Sequence, residues 1–348
     1  MQQTPAQSDS QLTATATATA ARQKAAVVRI APAFALFFVA PLIAEFLLGN
    51  LPIKLLPALT VLAPLYGGGA LLIRESARRT GRGWPSIFVL GLAYTILEEA
   101  FTTQSLFNPD YLHLRLHLLT AGYIPALGIG AWWTLFMFNL HTAWSISTPI
   151  ALIEATVPNR ATTPWLGRTG LIVTAALFAA GVVFITLFTL KQDHFLASRM
   201  QFASAALLCL LLVAAAFFLP PVAVQRIGRR VPSPWLVGAL ALTAGSAVLL
   251  IPTRWGWGAA AAMLATDLVV IAAVLSWSRS LAWTLQHKLA LAAGAALAYA
   301  WHAFIAHPAV GGSGMAVRVG NVIFAVGAIA LIWLAARRTA AASNGLLP

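Results

Sequence analysis

Long runs of apolar residues, separated by short polar or basic stretches, make up most of the sequence from residue 30 onward. A run of about 20 apolar residues forms a helix that can cross the roughly 30 Å of hydrocarbon in a bilayer. The pattern therefore predicts an all-α, polytopic integral membrane bundle of about ten transmembrane helices. The predicted spans are residues 30–48, 55–73, 84–107, 126–156, 170–190, 202–219, 235–251, 256–276, 289–306 and 320–336.

The fourth run is longer than one span requires. We expect its start to lie along the membrane interface. Pro149, near its other end, is expected to kink or break the helix because proline has no N–H to donate to the preceding turn.

The apolar pattern also predicts how the chain is divided. Residues 1–29 are rich in Ala, Thr and Gln without apolar periodicity, and are predicted to form a disordered cytoplasmic tail. Residues 30–157 form a predicted four-helix unit, residues 158–338 a six-helix unit, and residues 339–348 a cytoplasmic tail. The first apolar run is too long for a signal peptide, so we expect it to remain as a span.

Composition supports a multi-pass protein of the cell (plasma or inner) membrane. The chain is 60% hydrophobic and 9% charged, with a mean hydropathy of +0.82. A soluble protein of this length needs more charged surface. The net charge of +13 comes from short basic clusters between the spans, which disfavours a nucleic-acid partner. The lone Cys209 excludes an internal disulfide.

The distribution of the 22 Lys and Arg residues predicts the orientation. If the N-terminus is cytoplasmic, sixteen of them lie on the cytoplasmic side and six outside. The positive-inside rule then places both termini in the cytoplasm. The six outer residues are Lys54, Arg115, Lys191, Arg199, Arg254 and Arg318.

Acidic residues inside predicted spans are the most informative polar positions. A charged side chain at the bilayer centre costs roughly 2.5–3.5 kcal/mol, so such residues usually face the interior of the bundle and have a partner. Five of the nine acids fall in this class: Glu45, Glu98, Glu99, Glu154 and Asp267.

Counting residues along the predicted spans places several of these groups at one depth. At 1.5 Å per residue, Glu45, Glu98, His141 and His302 all lie about 20–22 Å above the inner boundary. We therefore predict a polar site in the outer half of the membrane. Its predicted catalytic residues are Glu98, Glu99 and His141, and its supporting residues are Glu45, Ser145 and His302.

The chemistry of such a site follows from its groups. Two adjacent carboxylates do not easily ionise together, so one becomes available as an acid or base. A carboxylate and an imidazole also bind zinc or another divalent metal, with Glu99 and His141 as the expected ligands. The alternative is structural, because buried Glu and His can simply hydrogen-bond to each other or to a carbonyl group.

Three further segments carry weaker signals. YLHLRLH (residues 111–117) spaces two histidines as a helical metal site would, but its alternation is more typical of an interfacial loop. RESARRTGRGW (residues 74–84) is predicted to be a basic loop that orients the chain and contacts anionic lipid. YGGGALL (residues 66–72) would allow close approach of helices or a local irregularity.

EEAFTTQ (residues 98–104), followed by a histidine in the next span, resembles the CPBP family of intramembrane metalloproteases. The family pairs two glutamates with an arginine, then has a Phe-xxx-His and a later His-xxx-Asn. Glu98, Glu99 and His141 match in order, whereas Thr103 stands at the arginine position and Ala306 at that of the asparagine. The resemblance implies an intramembrane protease with the glutamates and histidine in its active site. More broadly, the sequence resembles an uncharacterised group of bacterial integral membrane proteins.

Three functional classes remain open from the sequence. The first is a metal-dependent intramembrane hydrolase, in which one glutamate is the general base and the other joins His141 in binding metal or orienting water. The second is a transporter or proton-coupled carrier, although no repeat relates the two halves. The third is a membrane scaffold. The expected partners are the lipid bilayer and a membrane-embedded peptide or small-molecule substrate.

Overall fold

The computed structural model describes residues 30–219 and 230–345. This part of the chain is all-α and contains ten helices. A hairpin of two short antiparallel strands, β1 (Tyr123–Ile124) and β2 (Ile129–Gly130), precedes the fourth helix. The helices are α1 (Ile30–Leu47), α2 (Ile53–Arg79), α3 (Trp84–Ile96, continued by Leu97–Thr102), α4 (Ala131–Phe138, continued by Asn139–Ser147 and Thr148–Thr156), α5 (Arg168–Asp193), α6 (Arg199–Phe218), α7 (Pro234–Leu250), α8 (Trp257–Trp277), α9 (Leu285–His302) and α10 (Met315–Ser343).

Each predicted apolar run coincides with one of these helices. Six of the ten, namely α1, α2, α5, α6, α8 and α10, are long and apolar enough within the described residues to cross a membrane. Large apolar side chains on α5, α6 and α10 point outward; Ile172, Leu210 and Val326 are more than half exposed. Apolar surface on this scale indicates contact with lipid.

Several helix ends differ from the prediction. Helix α3 ends at Thr102 rather than at residue 107, because the Thr103 hydroxyl binds the Glu98 carbonyl and Gln104 has a φ of 56°. Helix α4 begins at Ala131, after the two-stranded hairpin, and not at residue 126. Helix α10 continues to Ser343. The predicted tail 1–29 lies outside the described residues.

Four helical segments in the described chain are wound as π-helix: Leu42–Leu47, Ala63–Gly67, Leu97–Thr102 and Asn139–Ser147. Pro41 precedes the first of them, Pro64 lies in the second and Pro149 follows the fourth. Proline removes one main-chain donor, and a wider turn relieves the clash of its ring with the preceding carbonyl. The predicted break at Pro149 is not observed: a π-helical segment precedes the proline, and α4 continues through it.

Small residues allow α1 and α2 to pack backbone against backbone. A Cβ on Gly67 would lie 1.9 Å from the Phe37 carbonyl oxygen, so only glycine fits there. This contact agrees with the close approach predicted for the YGGGALL segment. It brings the π-helical part of α2, which carries Tyr66, beside α1, which carries Glu45.

Helix α9 packs against α7 and α4, and so joins the C-terminal helices to the N-terminal ones. Trp144 of α4 donates its indole N–H to the Ala295 carbonyl at 2.8 Å and stacks on Tyr299, with ring centroids 4.5 Å apart. The sequence did not reveal that the ninth helix packs against the segments that carry Glu45 and His141.

Part of the predicted basic loop is helical and buried, which corrects the prediction. Helix α2 continues to Arg79, and Arg74 and Arg78 lie one turn apart on its inner face. Both donate to Glu154 of α4, at 3.0 Å from Arg74 and 2.7 Å from Arg78. These two arginines therefore hold two helices together and are not a lipid-contacting surface.

Candidate functional site

The polar layer is built on the four π-helical segments. Inserting a residue into a helical turn redirects the side chains that follow, and π-turns occur frequently at functional sites. Within the described residues, all four segments carry a member of the layer. The members are Glu45 on the first, Tyr66 on the second, Glu98 and Glu99 on the third, and His141 and Ser145 on the fourth.

His141 lies between the two glutamates, as the depth argument predicted. Its Nε2 is 2.7 Å from Glu99 Oε1, and its Nδ1 is 3.2 Å from Glu98 Oε2. All three side chains are buried, with exposures of 1% for His141, 2% for Glu98 and 5% for Glu99. The convergence of these three residues is confirmed, and their catalytic roles stay predictions.

Both carboxylate oxygens of Glu99 have hydrogen-bond partners. Its Oε1 faces His141, and its Oε2 accepts from the Thr103 hydroxyl at 3.0 Å and from the Ser105 hydroxyl. Ser105 in turn accepts from the indole N–H of Trp133 at 3.0 Å. These bonds fix the carboxylate, and the bond at Oε1 holds the imidazole in one orientation. Glu99 is therefore placed to orient His141.

Glu98 differs from Glu99 in its environment. Its contact with His141 lacks hydrogen-bond geometry, and its Oε2 has no hydrogen-bond partner among the described residues. The Nδ1 of His141 is instead 3.4 Å from the Ser145 hydroxyl. The imidazole lies beside Glu98 without forming a hydrogen bond to Oε2. Glu98 is thus the carboxylate of the pair that keeps an oxygen without a hydrogen bond among the described residues.

Glu45 joins the layer indirectly. It accepts from the Tyr66 hydroxyl at 2.7 Å and from the Asn50 amide at 2.8 Å. The Tyr66 ring stacks on His141, with centroids 6.0 Å apart and planes tilted by 19°. Glu45 therefore positions a ring that covers the imidazole, and it belongs to the supporting shell.

His302, a predicted supporting residue, lies elsewhere. It is not part of the Glu98–Glu99–His141 group, and its Nδ1 has no hydrogen-bond partner in the described chain. His302 lies at the same predicted depth as Glu45, Glu98 and His141, but its side chain does not point toward them.

Tyr66, Tyr94, Thr103 and Ser105 contact or adjoin the site and were missed as site residues. Tyr94 precedes Glu98 by four residues, a spacing that places both on one helix face. That spacing was visible in the sequence. Tyr66 and Ser105 depend on contacts between helices and loops, for which the sequence carries no local signal.

The residues fit a divalent metal only in part. One possible ligand atom from each of Glu98, Glu99 and His141 lies within 4.8 Å of the others. The 3.2 Å between Glu98 Oε2 and His141 Nδ1 is close to the ~3.3 Å that separates two ligands on tetrahedral zinc. Glu99, however, is already bonded to Nε2 and two hydroxyls. The arrangement leaves two ligands where catalytic zinc sites use three, which does not favour Glu99 as a metal ligand.

The YLHLRLH segment forms an irregular loop with one short turn, Tyr111–His113, and is not the regular helix that a helical metal site would need. His113 is hydrogen-bonded to Asp110 at 2.9 Å. This bond holds the pKa of the Asp110 carboxyl below its usual range and raises the pKa of the His113 imidazole. The described residues of this loop do not form a cluster of three metal-binding side chains.

A family model described as "Uncharacterized membrane protein family" matches residues 34–344. The chain belongs to this family. The match covers all ten helices almost completely, and agrees with a membrane protein that has multiple apolar helices. No curated protein and no solved structure matches the chain. No CPBP family model matches it either, so the resemblance rests on the two glutamates and the histidine alone.

Proposed function

We propose that this protein is an intramembrane hydrolase in which Glu98 activates a water molecule and Glu99 orients His141 beside it. One observation carries the proposal: two adjacent buried glutamates have different environments, since both oxygens of Glu99 have hydrogen-bond partners and Glu98 Oε2 has none among the described residues. Carboxylates separated in this way take different roles in acid–base catalysis. A purely structural pair would be expected to satisfy both.

The proposed reaction uses Glu98 as general base. Glu98 Oε2 takes a proton from water, and the water oxygen attacks the electrophilic carbon of the substrate. The bond to the leaving group breaks, and Glu98 returns the proton to that group. His141 is held by Glu99 and Ser145. It stabilises the negative charge that Glu98 carries before it takes the proton and after it returns the proton. Because only two ligands are free, no step is routed through a metal.

The location of the site limits its substrates. All three central residues are buried among apolar helices, so the reacting bond must enter the bundle from the membrane or its outer surface. A membrane-embedded peptide or a small lipid-soluble molecule meets this requirement. The resemblance to the CPBP family favours a peptide.

Hydrolysis in water enriched in heavy oxygen tests this function with a mixture of candidate substrates. Purified protein in liposomes would be incubated with membrane peptides and lipid-soluble esters. We expect wild-type protein to release products that carry one heavy oxygen in the new acid group, detected by mass spectrometry. The Glu98→Gln/Glu99→Gln variant is expected to release none.

A matched control keeps this experiment specific. Asp267→Asn makes the same change in α8, where Asp267 accepts a hydrogen bond from Asn139 at 2.9 Å, and should remain active. We expect activity to survive a metal chelator, and metal content to be equally low in wild type and the double variant. Hydrolysis that stops on chelation would contradict the role assigned to Glu98. Absence of labelled product from wild-type protein would contradict the hydrolase function.

A proton-coupled carrier is the second candidate. The imidazole between two carboxylates is an arrangement that can pass a proton from one helix to another, which a carrier requires. Proton uptake into wild-type liposomes that is lost in the double variant, without any labelled product, would favour this function over hydrolysis.

We further propose that all ten helices span the membrane, with both termini in the cytoplasm. Sixteen of 22 basic residues then lie inside, and the N-terminal four helices carry the site. A single cysteine introduced as Ala341→Cys in a Cys209→Ala background should react with an impermeant maleimide only after cells are opened. Thr253→Cys, in the connection between α7 and α8, should react in intact cells. The reverse pattern would invert the topology.

A further inference from the structure

Tyr94 presents a buried hydroxyl beside the proposed reacting groups. The residue is 4% exposed, and its hydroxyl has no hydrogen-bond partner among the described residues. Its ring lies edge-on to His141, with centroids 6.0 Å apart and an angle of 62°. A buried hydroxyl without a partner is costly, so a ligand that supplies an acceptor gains affinity there.

Tyr94 and Glu98 form a complementary pair. They lie four residues apart on one face of α3, close enough for the Tyr94 hydroxyl to turn toward the Glu98 carboxylate when no ligand is bound. Glu98 Oε2, when ionised, can only accept a hydrogen bond, whereas the tyrosine hydroxyl can donate one. The pair therefore offers an acceptor for water and, next to it, a donor for an oxygen that gains negative charge.

The neighbouring helix holds Tyr94 in place. A Cβ on Gly69 of α2 would lie 2.4 Å from Tyr94 Cε2, so the absence of a side chain there makes room for the ring. Tyr66, one turn earlier on the same helix, lies near the same ring, with its ring centroid 6.5 Å from that of Tyr94. Contacts to the ring thus hold the hydroxyl beside the Glu98 carboxylate.

We propose that the Tyr94 hydroxyl donates a hydrogen bond to the carbonyl oxygen of the substrate, which makes the substrate a carboxylic ester or amide. This inference rests on the proposed hydrolase function. When water attacks the acyl carbon, the C=O electron pair moves onto oxygen and Tyr94 stabilises the resulting oxyanion. The water proton goes to Glu98. Collapse of the oxyanion then expels the alcohol or amine, which leaves with that proton.

Tyr94→Phe tests the role of the hydroxyl. We expect kcat for heavy-oxygen incorporation to fall by roughly 10²–10³-fold, the usual effect of losing one oxyanion donor, with KM unchanged. The pH dependence should keep its shape, because Glu98 remains the base. The melting temperature should be unchanged or higher, since the lost hydroxyl has no protein partner among the described residues.

Tyr299→Phe is the matched control. Tyr299 is also buried, with a hydroxyl that lacks a hydrogen-bond partner in the described residues, but its ring stacks on Trp144 instead of His141. We expect its kcat to match that of wild type. Equal loss in both variants would mean that any buried hydroxyl matters, and would overturn the specific role of Tyr94.

Gly69→Ala tests the same hydroxyl through its position. An added methyl group should displace the Tyr94 ring, so Gly69→Ala alone should lower kcat. Combined with Tyr94→Phe, it should have little further effect. If wild type is active and Tyr94→Phe is equally active, or shifts the pH optimum, the inference fails and the proposed function stands. If wild type releases no labelled product, the proposed function fails first.

Discussion

Glu98→Gln is expected to reduce hydrolysis by about 10²–10⁴-fold, the range that a general base contributes. The amide keeps the size of the side chain but cannot take a proton from water. Because Glu98 Oε2 has no hydrogen-bond partner among the described residues, the fold loses little. Replacing a buried carboxylate by a neutral amide should leave the melting temperature equal or higher.

Glu99→Gln provides the comparison. Glu99 accepts from His141, Thr103 and Ser105, so the amide must turn a donor toward at least one of these groups. Hydrogen bonds to a charged group contribute about 1.5–3 kcal/mol each, so this variant should lose stability as well as activity. Both variants would be measured for labelled product and for thermal unfolding in the same detergent or liposome preparation.

The expected contrast separates a catalytic glutamate from a positioning one. Stability retained in Glu98→Gln and lost in Glu99→Gln supports the assigned roles. If Glu98→Gln keeps wild-type activity, Glu98 is not the base, whatever the effect on folding. If both variants unfold to the same extent, the two glutamates form one structural unit and the distinction between them is wrong.

Glu154→Gln is expected to have the largest effect on stability, about 3–5 kcal/mol, as for a buried ion pair that loses one partner. Glu154 is 1% exposed and binds both Arg74 and Arg78. The amide cannot satisfy two buried guanidinium groups. Arg74 also lies 3.2 Å from the centre of the Trp165 ring and donates to the Ala161 and Thr163 carbonyls, so the loop after α4 should loosen as well.

The measurement is the free energy of unfolding in a mild detergent, or the melting temperature where unfolding is irreversible. Asp110→Asn serves as the control, because it breaks an ion pair with His113 that lies at the exposed surface and should leave stability nearly unchanged. Equal stability of Glu154→Gln and wild type would indicate that the two arginines are hydrated and that the pair does not hold α2 against α4.

The sequence predicted the three central residues of the site, although the motif that contains the glutamates is a loose one. Glu98, Glu99 and His141 were identified because acids and imidazoles are costly in an apolar span, and because helical rise converts residue number into depth. The same counting selected His302, which is not part of the group. Depth depends on rise alone, whereas contact also depends on the rotation of each helix, and that is set by packing.

The ten apolar helices and the membrane environment followed from the sequence, because the length and hydropathy of a segment are local properties that the bilayer acts on directly. The tertiary structure decided which polar groups are satisfied. It gave Glu99 partners at both carboxylate oxygens and left Glu98 Oε2 without one among the described residues. It also placed Tyr94 beside Glu98 and buried Arg74 and Arg78 against Glu154. These differences arise from π-helical turns and from contacts between helices distant in sequence, so they depend on packing that no single segment specifies.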